Sequence, residues 1–292
     1  MQVELVTATT ADRVRLHGML QQPAAEQPPA KQPLAVDAVI CVHGTGSNFY
    51  SSTLFDALGE RLLAAGAAVL RINTRGHDAV STAHTDTGGM RQGAAFEIVD
   101  DCRHDLAAWT EVLVARGFER VGLIGHSSGA VKSIYFLAEA PHSAVTRLAA
   151  ISPPRLSHAH FLASSKRDEF VRDLSAAELA AANDRGDELL DVRFPLPYLI
   201  SARGYLDKYG PAERYNVLRL LPRVQVPTLL TFGGTEVRSN VAFAGVPTEI
   251  EQLPPGPASR RVNIVAEADH FYSGARAELL SQLLRWLRNP TP

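Results

Sequence analysis

The sequence predicts an α/β fold of the doubly wound kind, in which helices cover both faces of a mostly parallel sheet. Two observations support this prediction. Short apolar segments alternate with segments of helical periodicity from residue 34 to residue 154, and repeated strand, helix, strand units place their strands parallel in one sheet. After residue 222 the strand pattern returns and a closing amphipathic helix follows it. One sheet therefore receives strands from both parts of the chain.

Composition and charge narrow the class of protein. The chain has 292 residues, and its 46% hydrophobic and 21% charged residues exclude disordered and fibrous proteins. A formal net charge of -2 offers nucleic acid no basic surface. Because no run of about 18 apolar residues occurs, we expect no membrane span. We expect a small-molecule partner and no nucleic-acid partner, and the oligomeric state is left open.

The compartment is predicted from the N-terminus and the cysteines. Residues 1–20 carry scattered charges and lack the continuous apolar core of a signal peptide. Cys41 and Cys102 have no CxxC spacing and are too few for a disulfide framework. We therefore expect a cytoplasmic protein with two buried thiols.

The N-terminal segment begins the sheet. Apolar residues alternate in steps of two on both sides of residues 9–12, which predicts a hairpin. Residues 21–33 hold four prolines and predict a loop. The apolar run over 34–42, broken only by Asp37 and ended by Gly44, predicts a strand buried on both faces.

Helices and strands then alternate. Apolar residues at helical spacing predict helices over 52–65, 96–115 and 127–139, and short apolar runs predict strands over 67–72, 121–124 and 148–151. On the helix over 96–115, four charged residues are expected to face away from the apolar side: Asp100, Asp101, Arg103 and Asp105.

Residues 155–222 interrupt this alternation. They contain helical pieces, including 175–182, where Ser175 and Glu178 have the spacing of a capping box, but no pattern of a buried strand. Strands return over 228–232 and 262–266, followed by a helix over 275–287. We therefore predict an α/β core formed by 1–154 and 223–292, with a helical cap inserted at 155–222.

The segment Gly125-His126-Ser127-Ser128-Gly129 lies between an apolar strand and a helix. In a nucleophile elbow the turn is too tight for side chains at its flanks, so glycines stand two residues before and two residues after the serine. The helix N-terminus also favours negative charge beside that serine. The pattern predicts Ser127 as a nucleophile, and the alternative is an ordinary turn residue.

A glycine-rich turn, His43-Gly44-Thr45-Gly46, directly follows the buried strand over 34–42. An oxyanion needs two converging backbone N–H donors, of which such a turn supplies one and the residue after the nucleophile supplies the other. Thr45 and Ser128 are therefore the candidates. The alternative is that the two glycines only shape a turn.

A serine nucleophile needs a base, and that base needs an orienting acid. Among 10 histidines, His270 is the candidate base because it follows the strand over 262–266 and precedes the last helix. Glu236 follows the strand over 228–232, and the order Ser127, Glu236, His270 is typical of a triad on a doubly wound sheet. Asp269 remains the alternative acid.

Two further sequence features bear on whether the protein binds a metal or a cofactor. His158 and His160 are spaced like a pair of metal ligands on an extended segment, but no third ligand is spaced to complete the set. The sequence has neither GxxxxGK[ST] nor GxGxxG. We therefore predict no metal site and no cofactor.

The chain resembles the α/β-hydrolase superfamily over roughly residues 34–154 and 223–289. The resemblance rests on four motifs: the elbow, the oxyanion turn, the Gly-Gly-Thr-Glu acid turn and the Asp-His base. Within the superfamily, residues 95–109 and 129–132 are similar to a capped, esterase-like branch that includes siderophore esterases. The resemblance implies eight strands in the sheet, the triad Ser127, Glu236 and His270, and the donors Thr45 and Ser128. The acid is Glu where most members have Asp.

These residues predict a serine hydrolase that acts on a carboxylic ester or thioester. A lyase, a C–C hydrolase or an acyltransferase with the same triad, and a receptor without turnover, are the alternatives. Aromatic residues of 155–222 are candidate walls for a partly apolar substrate, and the alternative for each is packing of the cap onto the sheet. The candidates are Phe161, Phe170, Phe194, Tyr198, Tyr205, Tyr209 and Tyr215.

Overall fold

The computed structural model describes residues 3–24 and 32–288. Residues 25–31, which form most of the loop predicted over 21–33, lie outside the described residues, as do 1–2 and the last four residues of the predicted core. In the described part no helix is both long enough and apolar enough to cross a bilayer.

The described residues contain twelve β-strands and ten α-helices. The strands are β1 (Val3–Thr9), β2 (Arg15–Gln21), β3 (Ala38–Val42), β4 (Ala68–Ile72), β5 (Ser81–Thr85), β6 (Gly88–Gln92), β7 (Val121–His126), β8 (Val145–Ile151), β9 (Leu189–Val192), β10 (Tyr198–Ser201), β11 (Thr228–Gly233) and β12 (Arg260–Val265). The helices are α1 (Thr53–Ala64), α2 (Cys102–Val114), α3 (Ser128–Glu139), α4 (His158–Ala163), α5 (Arg167–Ala182), α6 (Ala202–Tyr209), α7 (Val217–Leu220), α8 (Gly234–Ser239), α9 (Val246–Gln252) and α10 (Arg276–Arg288).

Eight strands form the main sheet in the order β1-β2-β4-β3-β7-β8-β11-β12. The N-terminal hairpin pairs antiparallel, β2 pairs antiparallel with β4, and the remaining pairs are parallel. The prediction of a mostly parallel, eight-stranded sheet is confirmed. Because carboxyl ends of parallel strands meet at one edge, the loops after β3, β7, β8, β11 and β12 lie close together.

The two faces of the sheet bury separate apolar cores. Ile40 of β3 belongs to the core that contains residues of α2 and α3, whereas Val39 and Cys41 belong to the core that contains residues of α1 and α10. This alternation follows from the two-residue period of a strand. It confirms the doubly wound arrangement. Both cysteines are buried and free.

Residues 155–222 contain α4 to α7 and the antiparallel hairpin of β9 and β10. Their buried aromatic residues, such as Phe161 and Phe170, belong to the same apolar core as α2 and α3. A second hairpin, β5 with β6, lies between β4 and α2. Neither hairpin was predicted, since most of their residues are at least partly exposed and no continuous apolar run identifies them.

Two local predictions are wrong. Asp105 does not face solvent: it is fully buried, and its carboxylate accepts hydrogen bonds from the backbone N–H of Arg75 at 2.9 Å and from its guanidinium at 2.9 and 3.0 Å. A buried charge is tolerated because it is paired. Ser175 does not begin a helix. It lies inside α5, whose N-cap is Lys166.

Candidate active site

Ser127 lies in a tight turn between β7 and α3 and has φ 57° and ψ -125°, a backbone conformation that costs a non-glycine residue energy. Side chains at the flanking positions are excluded. A Cβ on Gly125 would lie 2.3 Å from the carbonyl oxygen of Gly129, and a Cβ on Gly129 would lie 2.1 Å from that of Val42. The predicted strand, turn and helix are therefore present, with Ser127 at the turn.

The turn after β3 packs against Ser127. A Cβ on Gly44 would lie 3.1 Å from the Cβ of Ser127, so this backbone approaches the serine closely. Thr45 and Ser128 both line the cavity that Ser127 faces. No hydrogen bond joins either backbone N–H to another described residue. Ser128 is the first residue of α3, where N–H groups lack an acceptor within the helix. Both groups are available to an anionic oxygen.

His43, at the start of that turn, holds it in place. Its Nε2 accepts a hydrogen bond of 3.1 Å from the backbone N–H of Thr74, and its Nδ1 lies 2.8 Å from the carbonyl oxygen of Gly44. Nε2 therefore carries no proton and Nδ1–H is the donor. Burial, together with the charge of Lys132, lowers the pKa of His43 to about 3. The imidazole is neutral at pH 7 and serves as a bridge between β3 and β4.

Glu236 and His270 meet beside the same cavity. Nδ1 of His270 lies 2.6 Å from Oε2 of Glu236. Since a carboxylate only accepts, Nδ1–H donates and Nε2 retains a lone pair. The His270 ring lines the cavity with Ser127, and no hydrogen bond joins their side chains. Hydrogen bonds of this kind often tighten only when substrate binds.

The carboxylate of Glu236 is held on its other oxygen. Oε1 accepts hydrogen bonds from the Ser152 hydroxyl at 2.5 Å and from the backbone N–H of Gly233 at 2.8 Å. The second bond closes the first turn of α8, and Glu236 is 5% exposed. Three donors thus fix both oxygens. The orientation of the His270 ring is set by this carboxylate.

Ser152 was not singled out by the sequence. It follows β8 directly, has φ 50° and is buried, and Tyr272 Oη lies 3.1 Å from its Oγ. Because the single Ser152 hydroxyl hydrogen goes to Glu236, Tyr272 is the donor in that contact. A serine at the carboxyl end of a strand next to β11 is the signal that would have indicated this role.

The carboxylate of Asp269 binds backbone N–H groups of its own turn. Its Oδ1 accepts hydrogen bonds from the backbone N–H groups of Phe271 at 3.0 Å and Ser273 at 2.8 Å, which stabilises the turn that carries His270. No hydrogen bond joins its carboxylate to the His270 ring among the described residues. The geometry brings Glu236, and not Asp269, to the imidazole.

The cavity has a volume of about 470 Å³, within the range of small-molecule sites. Residues 155–222 contribute five of its lining residues: Leu156, Pro195, Leu196, Lys208 and Tyr209. Of the seven aromatic candidates, Tyr209 is among the lining residues and the other six are not.

The other aromatic candidates pack away from the cavity. The rings of Phe161 and Phe194 are 4.8 Å apart, edge to face, and both are buried. Tyr205 is fully buried and its hydroxyl donates to the carbonyl oxygen of Phe194 at 3.2 Å, and Tyr198 Oη lies 3.2 Å from Tyr209 Oη. These rings fill the interior, as the packing alternative expected, because aromatic side chains bury the most apolar area there.

The two histidines spaced like metal ligands bind backbone carbonyls. Nδ1 of His158 lies 3.2 Å from the carbonyl oxygen of Tyr209, and Nε2 of His160 lies 2.9 Å from that of Val241. Among residues 3–24 and 32–288, no group of three or more His, Cys, Asp or Glu side chains is arranged to hold a metal ion.

Comparisons with known proteins agree with this fold. The model of the alpha/beta hydrolase family matches residues 39–288. Est1E from Butyrivibrio proteoclasticus with ferulic acid bound has a TM-score of 0.64 and 14% identity, with 97% of each chain covered. The Pyrococcus furiosus esterase Pf2001 has a TM-score of 0.63 and 18% identity, covering 100% of this chain and 92% of that one.

The esterase domain of a Rhodothermus marinus protein has a TM-score of 0.58 and 21% identity, covering 99% of this chain and 98% of that chain. At these identities the likeness concerns the fold. No curated protein matches the chain significantly in sequence. The superfamily resemblance drawn from the motifs is confirmed.

Proposed function

Because the chain belongs to the alpha/beta hydrolase family, we propose that it is a serine hydrolase that cleaves a carboxylic ester or thioester of a small molecule through an acyl-enzyme. Its nucleophile is Ser127, its base is His270, and Glu236 orients the base. The observation that carries the proposal is the 2.6 Å contact between Nδ1 of His270 and Oε2 of Glu236 beside the cavity that Ser127 faces.

The first half of the reaction acylates the serine. Ser127 Oγ attacks the substrate carbonyl carbon while Nε2 of His270 takes its proton. The backbone N–H groups of Thr45 and Ser128 donate to the oxyanion as it forms, and the positive end of α3 adds to this stabilisation. Collapse of the intermediate expels the alcohol or thiol, which receives the proton from His270.

The second half releases the acid. The oxygen of a water molecule attacks the acyl carbon while Nε2 of His270 removes its proton. The second tetrahedral intermediate then collapses, the acyl–Oγ bond breaks, and His270 returns the proton to Ser127 Oγ as the acid leaves. Glu236 keeps the imidazole in the tautomer with Nδ1–H and stabilises the imidazolium in each half. Loss of Ser127 or His270 removes this cycle, and turnover is expected to fall by a factor on the order of 10⁴ to 10⁶.

We further propose that residues 155–222 act as a cap on the core of 1–154 and 223–292. Five residues of this segment line the cavity beside Ser127, which supports a role in substrate selection: Leu156, Pro195, Leu196, Lys208 and Tyr209. The aromatic rings behind them support the cap from within and do not contact substrate.

The test is covalent labelling of the purified full chain with a fluorophosphonate, followed by peptide mass mapping, with Ser127→Ala as the matched control. A series of p-nitrophenyl esters from acetate to decanoate then measures turnover and the length of acyl chain accepted. We expect labelling at Ser127 and turnover that the control lacks. Folded protein that neither labels nor turns over any ester would overturn the proposal and favour a receptor.

A further inference from the structure

The charged residues that line the cavity beside Ser127 are cations. Lys208 and Arg276 belong to its lining, and within the described part of the chain no aspartate or glutamate does. Glu236 stands behind His270, to which its Oε2 is bonded. The charge of Glu236 therefore acts on the His270 imidazole. The charged side chains of the described lining are therefore cationic, without a carboxylate among them.

Lys208 is the buried one of the two cations. It lies near the end of α6, is 4% exposed, and its Nζ is 3.1 Å from Oε2 of Glu97. The other oxygen of that carboxylate, Oε1, contacts Nζ of Lys132, which also donates to the Thr74 hydroxyl at 3.1 Å. One carboxylate thus pairs with two ammonium groups, one at each oxygen.

This cluster carries an excess of one positive charge. Burial would raise the pKa of Glu97, but the charges of Lys132 and Lys208 lower it to about 2, so the carboxylate is ionised. Asp207, next to Lys208 in the chain, turns its carboxylate to the Tyr215 hydroxyl and to the backbone N–H of Val99. It does not pair with Lys208.

Nζ of Lys208 has more N–H donors than hydrogen-bond acceptors around it among the described residues. An ammonium group has three N–H donors, and Glu97 is the only hydrogen-bond or ion-pair partner of Lys208 Nζ among the described residues. The Tyr198 ring lies 5.7 Å from Nζ and covers another side. Charged groups are rarely buried beyond what their partners balance. Because Nζ is covered while the side chain lines the cavity, an anion that enters the cavity binds the ammonium once the Lys208 side chain turns toward it.

Taking Ser127 as the nucleophile proposed above, we infer that Lys208 binds a carboxylate on the substrate, so that the natural substrate is an ester that carries a carboxylate away from the scissile bond. The excess charge of one favours a monoanion. A phosphate monoester carries about 1.5 to 2 negative charges at neutral pH and would leave the buried cluster negative. Apolar residues such as Leu54, Phe55 and Phe243 form other walls of the cavity, which suits an apolar spacer.

Two pairs of substrates test this inference and show which side of the ester bears the acid. The acyl pair is p-nitrophenyl hydrogen adipate and p-nitrophenyl hexanoate, and the alcohol pair is 4-acetoxybenzoate and its methyl ester. We expect kcat/KM to favour the anionic member of one pair by tenfold or more, although apolar walls by themselves favour the neutral member. Equal or lower kcat/KM for both anionic members overturns the inference.

The variants Lys208→Met and Lys208→Arg test whether Lys208 causes the preference for the anionic substrate. Lys208→Met should lower the anionic-to-neutral ratio of kcat/KM by at least tenfold, and Lys208→Arg should keep most of it. Because Glu97 still pairs with Lys132 in Lys208→Met, we expect its urea midpoint to be no lower than that of the wild type. Arg276→Gln is the matched control, since it removes the other cation of the cavity, and it should change the ratio less than threefold.

The outcomes separate the two proposals. If Ser127 labels with fluorophosphonate but the ratio is unchanged in Lys208→Met, or falls equally in Arg276→Gln, the role of Lys208 is refuted and the hydrolase stands. If Ser127 does not label, calorimetry with monomethyl adipate, which is a monoanion, and dimethyl adipate, which is neutral, still tests the carboxylate subsite. Binding of monomethyl adipate that requires Lys208 supports it, and binding equal in wild type and Lys208→Met refutes it.

Discussion

Nε2 of His126 lies 2.8 Å from the carbonyl oxygen of His270, so the residue before the proposed nucleophile is bonded to the residue proposed as its base. The carbonyl only accepts, hence His126 donates through Nε2–H. Their rings are 4.8 Å apart. This bond joins the turn after β7 to the loop after β12 and fixes their separation independently of substrate.

The lowered pKa of His126 determines part of the dependence of folding stability on pH. Burial, with the nearby His270, lowers the pKa of His126 from 6.5 to about 3, and burial lowers that of His43 equally. Between pH 6.5 and pH 3 the unfolded chain therefore binds more protons than the folded chain. The two neutral histidines therefore contribute fully to stability above pH 6.5. This contribution is lost as pH falls, by up to about 1.4 kcal/mol per pH unit for each histidine.

Urea unfolding between pH 7.5 and pH 5 measures this slope. Carboxylates with lowered pKa values, such as Glu97, titrate in the unfolded chain only near 4.5 and below. Burial raises the pKa of Asp105 and Asp207, which gives a slope of the opposite sign, and lowers that of the exposed His17, but these groups are the same in wild type and variant. We expect His126→Gln to lower the slope at the acid end of this window by about 1.4 kcal/mol per pH unit and the exposed-site control His84→Gln to keep the wild-type slope. An unchanged slope in His126→Gln would contradict the neutral state of His126.

Glu236→Gln tests which carboxyl group orients the base. The amide can donate a hydrogen to Nδ1 and thereby favour the wrong imidazole tautomer, with Nε2 protonated, while the ring keeps its position. We expect kcat to fall by a factor on the order of 10³ to 10⁴. Asp269→Asn is the control because it alters the neighbouring carboxylate, which binds backbone N–H groups, and its kcat should stay within a few-fold of wild type. The reverse ranking of the two variants would make Asp269 the acid.

The sequence predicted those parts of the site that depend on local backbone constraints. Gly125 and Gly129 flank Ser127 because backbone atoms pass within 2.1 to 2.3 Å of where their Cβ atoms would be, and such a constraint leaves a short, readable pattern. Buried parallel strands leave continuous apolar runs for a similar reason, since both faces are covered. The succession of these strands along the chain followed from such runs.

Contacts between distant segments left no such pattern. Ser152 reaches Glu236 across 84 positions and Arg75 reaches Asp105 across 30 positions, and in each case the sequence shows only a common polar residue. Lys208 and Lys132 share Glu97 in the same way. A buried charge is recognisable only once its partner is known, so the helical pattern misplaced Asp105 on the solvent side.

Ser152→Ala tests the residue that the sequence did not indicate. The substitution removes the 2.5 Å bond to Oε1 of Glu236 but leaves the bond from Gly233, so the carboxylate gains freedom without losing contact with His270. We expect kcat to fall roughly 10- to 100-fold, less than for Glu236→Gln.

Ser152→Gly separates the hydroxyl from backbone strain at this position. It lacks the same hydroxyl but accepts the φ of 50° without a Cβ, so it should be more stable than Ser152→Ala by about 1 kcal/mol. Its kcat should match that of Ser152→Ala. Wild-type kcat in both variants would show that Glu236 needs no support from β8.

Gly44→Ala tests whether the turn after β3 is positioned against the reacting atoms. The added Cβ would lie 3.1 Å from the Cβ of Ser127 and 3.4 Å from the carbonyl oxygen of His126, and the elbow cannot retreat because Gly129 already packs against Val42. The turn must move by a few tenths of an ångström, which displaces the N–H of Thr45. We expect kcat to fall roughly 10- to 100-fold with a loss of stability under about 2 kcal/mol. Gly186→Ala, whose Cβ would have 3.6 Å to its nearest neighbour, should keep wild-type kcat, and the same result for Gly44→Ala would remove Thr45 from the oxyanion site.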